Sequence, residues 1–134
     1  MPKKPASPDY SGTEVVLVVD DDEAVRAVIV RALRDRGYDV LEAVQGEDAM
    51  KLLDVLHGRA DLVITDMVMP EMGGAELIKA LRARYPDLKI LIITAYSREM
   101  VEAKGVLFPG ALHLTKPFNV SRLAKTVREA LDAQ

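Results

Sequence analysis

Five short apolar runs recur along the chain, and between them the apolar residues fall at helical rather than alternating spacing. Val15 to Val19 is unbroken and mostly β-branched, the pattern of a strand covered on both faces. Tyr38 to Ala43, Asp61 to Asp66, Lys89 to Ile93 and Leu112 to Thr115 predict four further strands. After the first run, Val25, Val28, Ile29, Ala32 and Leu33 share one helix face, with Asp22 placed as N-cap and Gly37 as terminator. Gly46 to Leu56 predicts a second helix with Ala49, Leu52, Leu53 and Leu56 inward, ended by Gly58. A third carries Leu77, Ile78 and Leu81 and stops at Pro86; a weak fourth spans about 97–104, before Pro109-Gly110 breaks the chain. Asn119 or Ser121 caps a last helix with Leu123, Val127 and Leu131 inward. Residues 1–13, rich in Pro, Ser, Lys and Gly, read as a disordered tail or linker before a domain over 14–134.

Strand and helix alternate with short connections, so the fold class is α/β, with a parallel sheet and helices on both faces. Right-handed crossovers make this a three-layer sandwich.

The chain has 134 residues, 49% hydrophobic, enough for one core and too few for two domains. It has no cysteine and two histidines, which excludes disulfides and thiolate or histidine-rich zinc sites. The net charge of -3 offers no basic field for nucleic acid. No apolar run reaches a membrane span and no signal peptide is evident, so the expected location is cytoplasmic, with neither membrane nor direct nucleic-acid contact.

Parallel strands all finish at one edge of the sheet. Asp20 and Asp21 follow the first strand, Asp66 ends the third, Thr94 closes the fourth and Lys116 follows the fifth. Each has an ordinary explanation alone: an acidic helix start, a strand threonine, a turn charge. Together they make a site. Carboxylates brought within 4 Å repel by about 4 kcal/mol per pair at an effective dielectric near 20, so a cation is required, and Mg2+ suits an all-oxygen set. The Thr94 hydroxyl and Lys116 ammonium suit phosphoryl oxygens. Asp66, on a central strand before a loop with Pro70, Gly73 and Gly74, is the best placed carboxylate to act as a nucleophile toward phosphorus.

Four blocks carry a resemblance: Val-Leu-Val-Val-Asp-Asp-Asp-Glu-Ala-Val-Arg, Asp-Leu-Val-Ile-Thr-Asp-Met-Val-Met-Pro-Glu-Met-Gly-Gly, Ile-Leu-Ile-Ile-Thr-Ala and Leu-Thr-Lys-Pro-Phe. In this order, from about residue 14 to the end, the chain resembles the receiver domain of two-component response regulators. The resemblance implies a flavodoxin-like sheet of order 2-1-3-4-5. It implies Asp66 as phosphoacceptor, Asp21 as a direct Mg2+ ligand, Asp20 acting through a water and the Val68 carbonyl as a further ligand. Thr94 and Lys116 would bond the phosphoryl group, and the Lys116–Pro117 bond would be cis. The implied donor is a phosphohistidine on a histidine kinase or phosphotransfer domain. The implied output is a conformational shift acting on a downstream protein, through the face of the fourth helix, fifth strand and last helix that the family also uses for homodimers. Such a chain is a signalling domain, catalysing only its own phosphorylation and dephosphorylation.

Three departures stand out. The aromatic switch position, three before Lys116, is His113. Val68 and Tyr96, at positions that bear on dephosphorylation, carry no acid or amide to orient water, which predicts a long-lived phosphoryl group. The segment Gly105 to Phe118, with the Gly12-Thr13-Glu14 lead-in, looks more like receivers attached to hybrid sensor histidine kinases. Two rival readings remain. Asp20 and Asp22 form the Asp-x-Asp of a haloacid-dehalogenase-type phosphatase, though Ala24 departs from that motif. A receiver-like binding module that takes no phosphoryl group is the other.

Overall fold

An apolar strand without polar alternation needs cover on both sides, and β1 (Val15–Val19) has it: Val16 and Val18 enter one core, Leu17 and Val19 another. The computed structural model describes residues 10–66, 74–95 and 111–133. In chain order β1 is followed by α1 (Glu23–Arg34), β2 (Asp39–Ala43), α2 (Gly46–Val55), β3 (Leu62–Asp66), α3 (Gly74–Arg84), β4 (Lys89–Thr94), β5 (Leu112–Thr115) and α4 (Val120–Asp132). Of the expected loop Met67 to Gly74, residues 67–73 lie outside the described residues and Gly74 already begins α3; the helix over 97–104 and the Pro109-Gly110 break also lie outside them.

The five strands are parallel in the order β2-β1-β3-β4-β5, as expected. Alternate residues divide between the two faces. Leu62, Ile64, Leu91 and Ile93 join Ile29, Leu33, Leu123 and Val127 under α1 and α4. Val63, Ile90 and Ile92 join Ala49, Leu53, Leu77, Ile78 and Leu81 under α2 and α3. The result is three layers with the sheet in the middle.

Helix ends follow local chemistry. The Asp22 carboxylate accepts the Ala24 and Val25 N–H groups at 3.0 and 3.2 Å, and Asn119, not Ser121, caps α4 by accepting from Arg122 N at 2.7 Å. Gly37 takes the left-handed φ of +98° that ends the α1 region. One inward assignment fails: Val28 is 51% exposed, whereas Val30 is buried. The helix packs against β2 and β1, which covers Val30 and leaves Val28 out. His57 is exposed just beyond α2. Residues 10–13, assigned to the tail by composition, bond to the domain: Gly12 N–H donates to the Arg36 carbonyl at 3.1 Å and Tyr38 Oη to the Tyr10 carbonyl at 3.0 Å. Among the described residues no helix is long and apolar enough to cross a membrane.

Candidate functional site

Register places the site. Val19 pairs with Thr65, so Asp20 follows β1 at the level where Asp66 ends β3; Asp66 pairs with Ile93, and Thr94 pairs with Thr115, one residue before Lys116. Four chain segments thus deliver their polar ends to the carboxyl edge of three adjoining strands and β5, where open α/β sheets place their ligands.

Lys116 Nζ donates to Asp66 Oδ2 at 2.7 Å, and both side chains are largely covered. The lysine is held in place by its own backbone, where Lys116 N–H donates to the Thr94 carbonyl at 2.8 Å. The Lys116–Pro117 bond is cis, as the resemblance implies. Thr94 is 1% exposed. Thr65, buried beside Asp66, donates its hydroxyl to the Asp66 carbonyl at 3.0 Å and fixes the end of β3.

Asp20 is 1% exposed, and its Oδ1 accepts the Asp22 N–H at 2.9 Å. Burial pushes the Asp20 carboxyl above its ordinary range; the Asp22 bond opposes the rise, Asp66 and Asp21 add to it, and Lys116 reduces it. For Lys116, burial works against the ammonium, but the bond to Asp66 and the charges of Asp66, Asp20 and Asp22 outweigh it and hold the group above the ordinary lysine range. Asp21 is exposed at the same edge. Carboxylates therefore outnumber the one lysine charge set among them.

Does this set fit Mg2+? Among the described residues, no three acidic or histidine side chains gather into a ready cage. Magnesium does not demand one: it keeps several waters and takes one or two carboxylates. Asp20 lies buried at the edge where Asp66 ends β3 and Asp21 stands exposed, and its ionised form is disfavoured first by burial and then by those two carboxylates; a hard cation would offset both, so the residues fit. Val68, the implied carbonyl ligand, and Tyr96 lie outside the described residues.

Sequence reasoning missed Arg26. Its Nη1 donates to the Asp20 carbonyl at 2.7 Å and its Nε to Glu42 Oε1 at 3.2 Å, bracing the β1 end against β2. The signal was present in outline, since a basic residue in the second turn of a helix can reach back to the strand before it. Asp22, the second acid of the Asp-x-Asp pair, is spent on capping α1 and is exposed. His113, on β5, is half-buried opposite Ile92. An apolar groove of about 380 Å³, lined by Ala24, Val25, Val28, Pro117 and Phe118, opens beside Lys116.

A family model described as the response regulator receiver domain matches residues 16–128. The chain is similar to the sensor kinase CckA of Brucella abortus (strain 2308), 40% identical over 126 residues that make up 94% of this chain and 13% of that kinase. It spans half or less of the first curated relatives it matches. Among solved structures, the receiver domain from the hybrid histidine kinase CckA aligns with a TM-score of 0.75 at 35% identity, covering 88% of this chain and 99% of that one. The response regulator TrrA of Thermotoga maritima, in complex with Mg2+ and BeF, aligns with a TM-score of 0.77 at 32% identity, covering 89% and 100%.

Proposed function

The chain belongs to the response regulator receiver domain family of two-component systems, and we propose that it takes a phosphoryl group onto Asp66 from a phosphohistidine of a histidine kinase or phosphotransfer domain. The observation that carries this reading is the Asp66–Lys116 pair at 2.7 Å, set at the edge where Asp20 lies buried.

The chain's own residues supply the chemistry. An Asp66 carboxylate oxygen attacks phosphorus, the P–O bond forms as the P–N bond of phosphohistidine breaks, and the electron pair stays on the imidazole nitrogen. Lys116 leaves the carboxylate to bond a phosphoryl oxygen, and Thr94, at the end of the adjoining strand, donates its hydroxyl to another. Asp21 and Asp66 would hold Mg2+ directly, Asp20 through a water and Val68 through its carbonyl. The ion supplies neutralisation of the gathered negative charge and an oriented seat for phosphoryl oxygens.

The phosphoryl group is then bonded better in one arrangement of Thr94 and Lys116 than in the other, which shifts the domain's equilibrium. The output face includes β5 and the start of α4, where Leu112 and Val120 are exposed apolar residues at 38% and 39%. A downstream protein or a second copy would bind there. The similarity to the CckA receiver supports a domain working within or beside a hybrid kinase, and so in the cytoplasm.

The phosphatase reading fits less well, because its acid/base candidate Asp22 is committed to the cap of α1 and its nucleophile Asp20 is buried. Intact mass after incubation with Mg2+ and acetyl phosphate decides the matter. One added phosphoryl group in the parent and none in Asp66→Ala is the expected result; a gain in both would transfer the role to Asp20, and a gain in neither would leave a binding module.

A further inference from the structure

At the far end of the molecule from Asp66, the residues before β1 do not simply lead into the sheet. Tyr10, Gly12 and Glu14 are partly buried while Ser11 and Thr13 are exposed, and Tyr10 turns the chain at a left-handed φ of +55°. Arg128, in the penultimate turn of α4, receives them. Its Nη1 donates to the Ser11 carbonyl at 3.1 Å and to Tyr38 Oη at 3.2 Å, its guanidinium forms a two-pronged pair with the Glu14 carboxylate, and its Nη2 reaches Asp132 Oδ1 at 2.9 Å. The guanidinium also sits 5.9 Å from the centre of the Tyr38 ring.

Two glycines allow this fit. A Cβ on Gly12 would stand 2.5 Å from Arg128 Nη1 and 2.5 Å from the Tyr38 ring, and a Cβ on Gly37 would stand 2.7 Å from the Gly12 carbonyl. Neither approach is needed for a helix cap or a strand alone. The close fit joins the segment entering the domain to the helix leaving it.

We propose that residues 10–14 form a strap whose engagement with Arg128 holds the last turns of α4, so that a segment or domain preceding this one acts on α4 by tightening or drawing off the strap. The helix runs from Asn119, two residues after Pro117 at the phosphoacceptor edge, to Asp132 at the strap, and a rigid helix tied at both ends carries displacement from one to the other. The inference does not depend on which residue accepts phosphate.

Amide hydrogen exchange in the full chain tests it. Gly12→Ala sets a Cβ against Arg128 and the Tyr38 ring and so displaces the strap where it meets the domain. The expected result is exchange about tenfold faster over residues 127–132, with α2 (Gly46–Val55) unchanged. Arg128→Gln should give the same pattern, and the double variant should add little to either single one, because both break one contact. Unchanged exchange in α4, equal acceleration in α2, or full additivity would each overturn the proposal. If Arg128→Gln does not fold, Gly12→Ala against the parent still decides.

Discussion

Lys116 Nζ and Asp66 Oδ2 stand 2.7 Å apart, joining the ends of two strands that are not neighbours in the sheet. Lys116 also works with the Asp22 N–H to offset the burial of Asp20, whereas Asp66 adds to the rise of that carboxyl. Removing the cation should therefore harm stability more than removing the acid. Lys116→Ala leaves Asp66 and Asp20 facing each other and is expected to destabilise by about 2 kcal/mol. Asp66→Ala takes away a like charge and leaves Lys116 near Asp20, and is expected to cost under about 1 kcal/mol. Urea midpoints of the two variants should fall in that order; the reverse order would refute this account of the site.

Magnesium should stabilise the folded chain through the same carboxylates. At ten times its dissociation constant a ligand bound only to the folded state adds about 1.4 kcal/mol, which for a domain of this size raises Tm by roughly 3–6 °C. The rise should disappear with EDTA and be absent in Asp21→Ala, with calorimetry as the readout. An equal rise in that variant would place the ion elsewhere.

The strap predicts a pH dependence with a definite sign. Bonds from Arg128 hold the Glu14 carboxyl below its ordinary value of 4.5. The unfolded chain binds that proton more readily, so the stabilisation is complete above about pH 4.5 and is lost as the pH falls through the lower folded value. Glu14→Gln should cost about 1 kcal/mol at pH 7 by urea unfolding, and the gap to the parent should close in acid. A gap that widens as the pH drops would contradict the pairing.

Gly37→Ala should be costly for two reasons. The residue sits at φ +98°, and an added Cβ would meet the Gly12 carbonyl at 2.7 Å. Left-handed strain alone costs about 1 kcal/mol, and the displaced strap should add to it. Thermal unfolding should show a larger loss than Gly58→Ala produces, since Gly58 at φ +73° would meet the Tyr85 side chain, which can shift, where Gly37 would meet backbone.

How much of this could be read along the chain? The five strands, the Asp22 cap, the Gly37 stop and the convergence of Asp20, Asp66, Thr94 and Lys116 all follow from rules that act within a few residues or from the common polarity of parallel strands. Periodicity and caps are local, and a parallel sheet sends every strand end to one edge, so the meeting of these four residues is legible in the sequence.

What local rules cannot supply is which way a helix leans and which distant groups then meet. Val28 and Val30 flank the inward face of α1 on opposite sides, and the packing of α1 against β2 covers Val30 and leaves Val28 exposed. Arg26 reaches Asp20 and Glu42, and Arg128 reaches Ser11 and Glu14 more than a hundred residues away. Composition assigned residues 10–13 to a tail because they bury little apolar surface; a guanidinium with several donors holds them by polar bonds instead. Hydrophobic pattern determines where the chain must be covered, but long charged side chains choose their partners only once packing has brought those partners within reach.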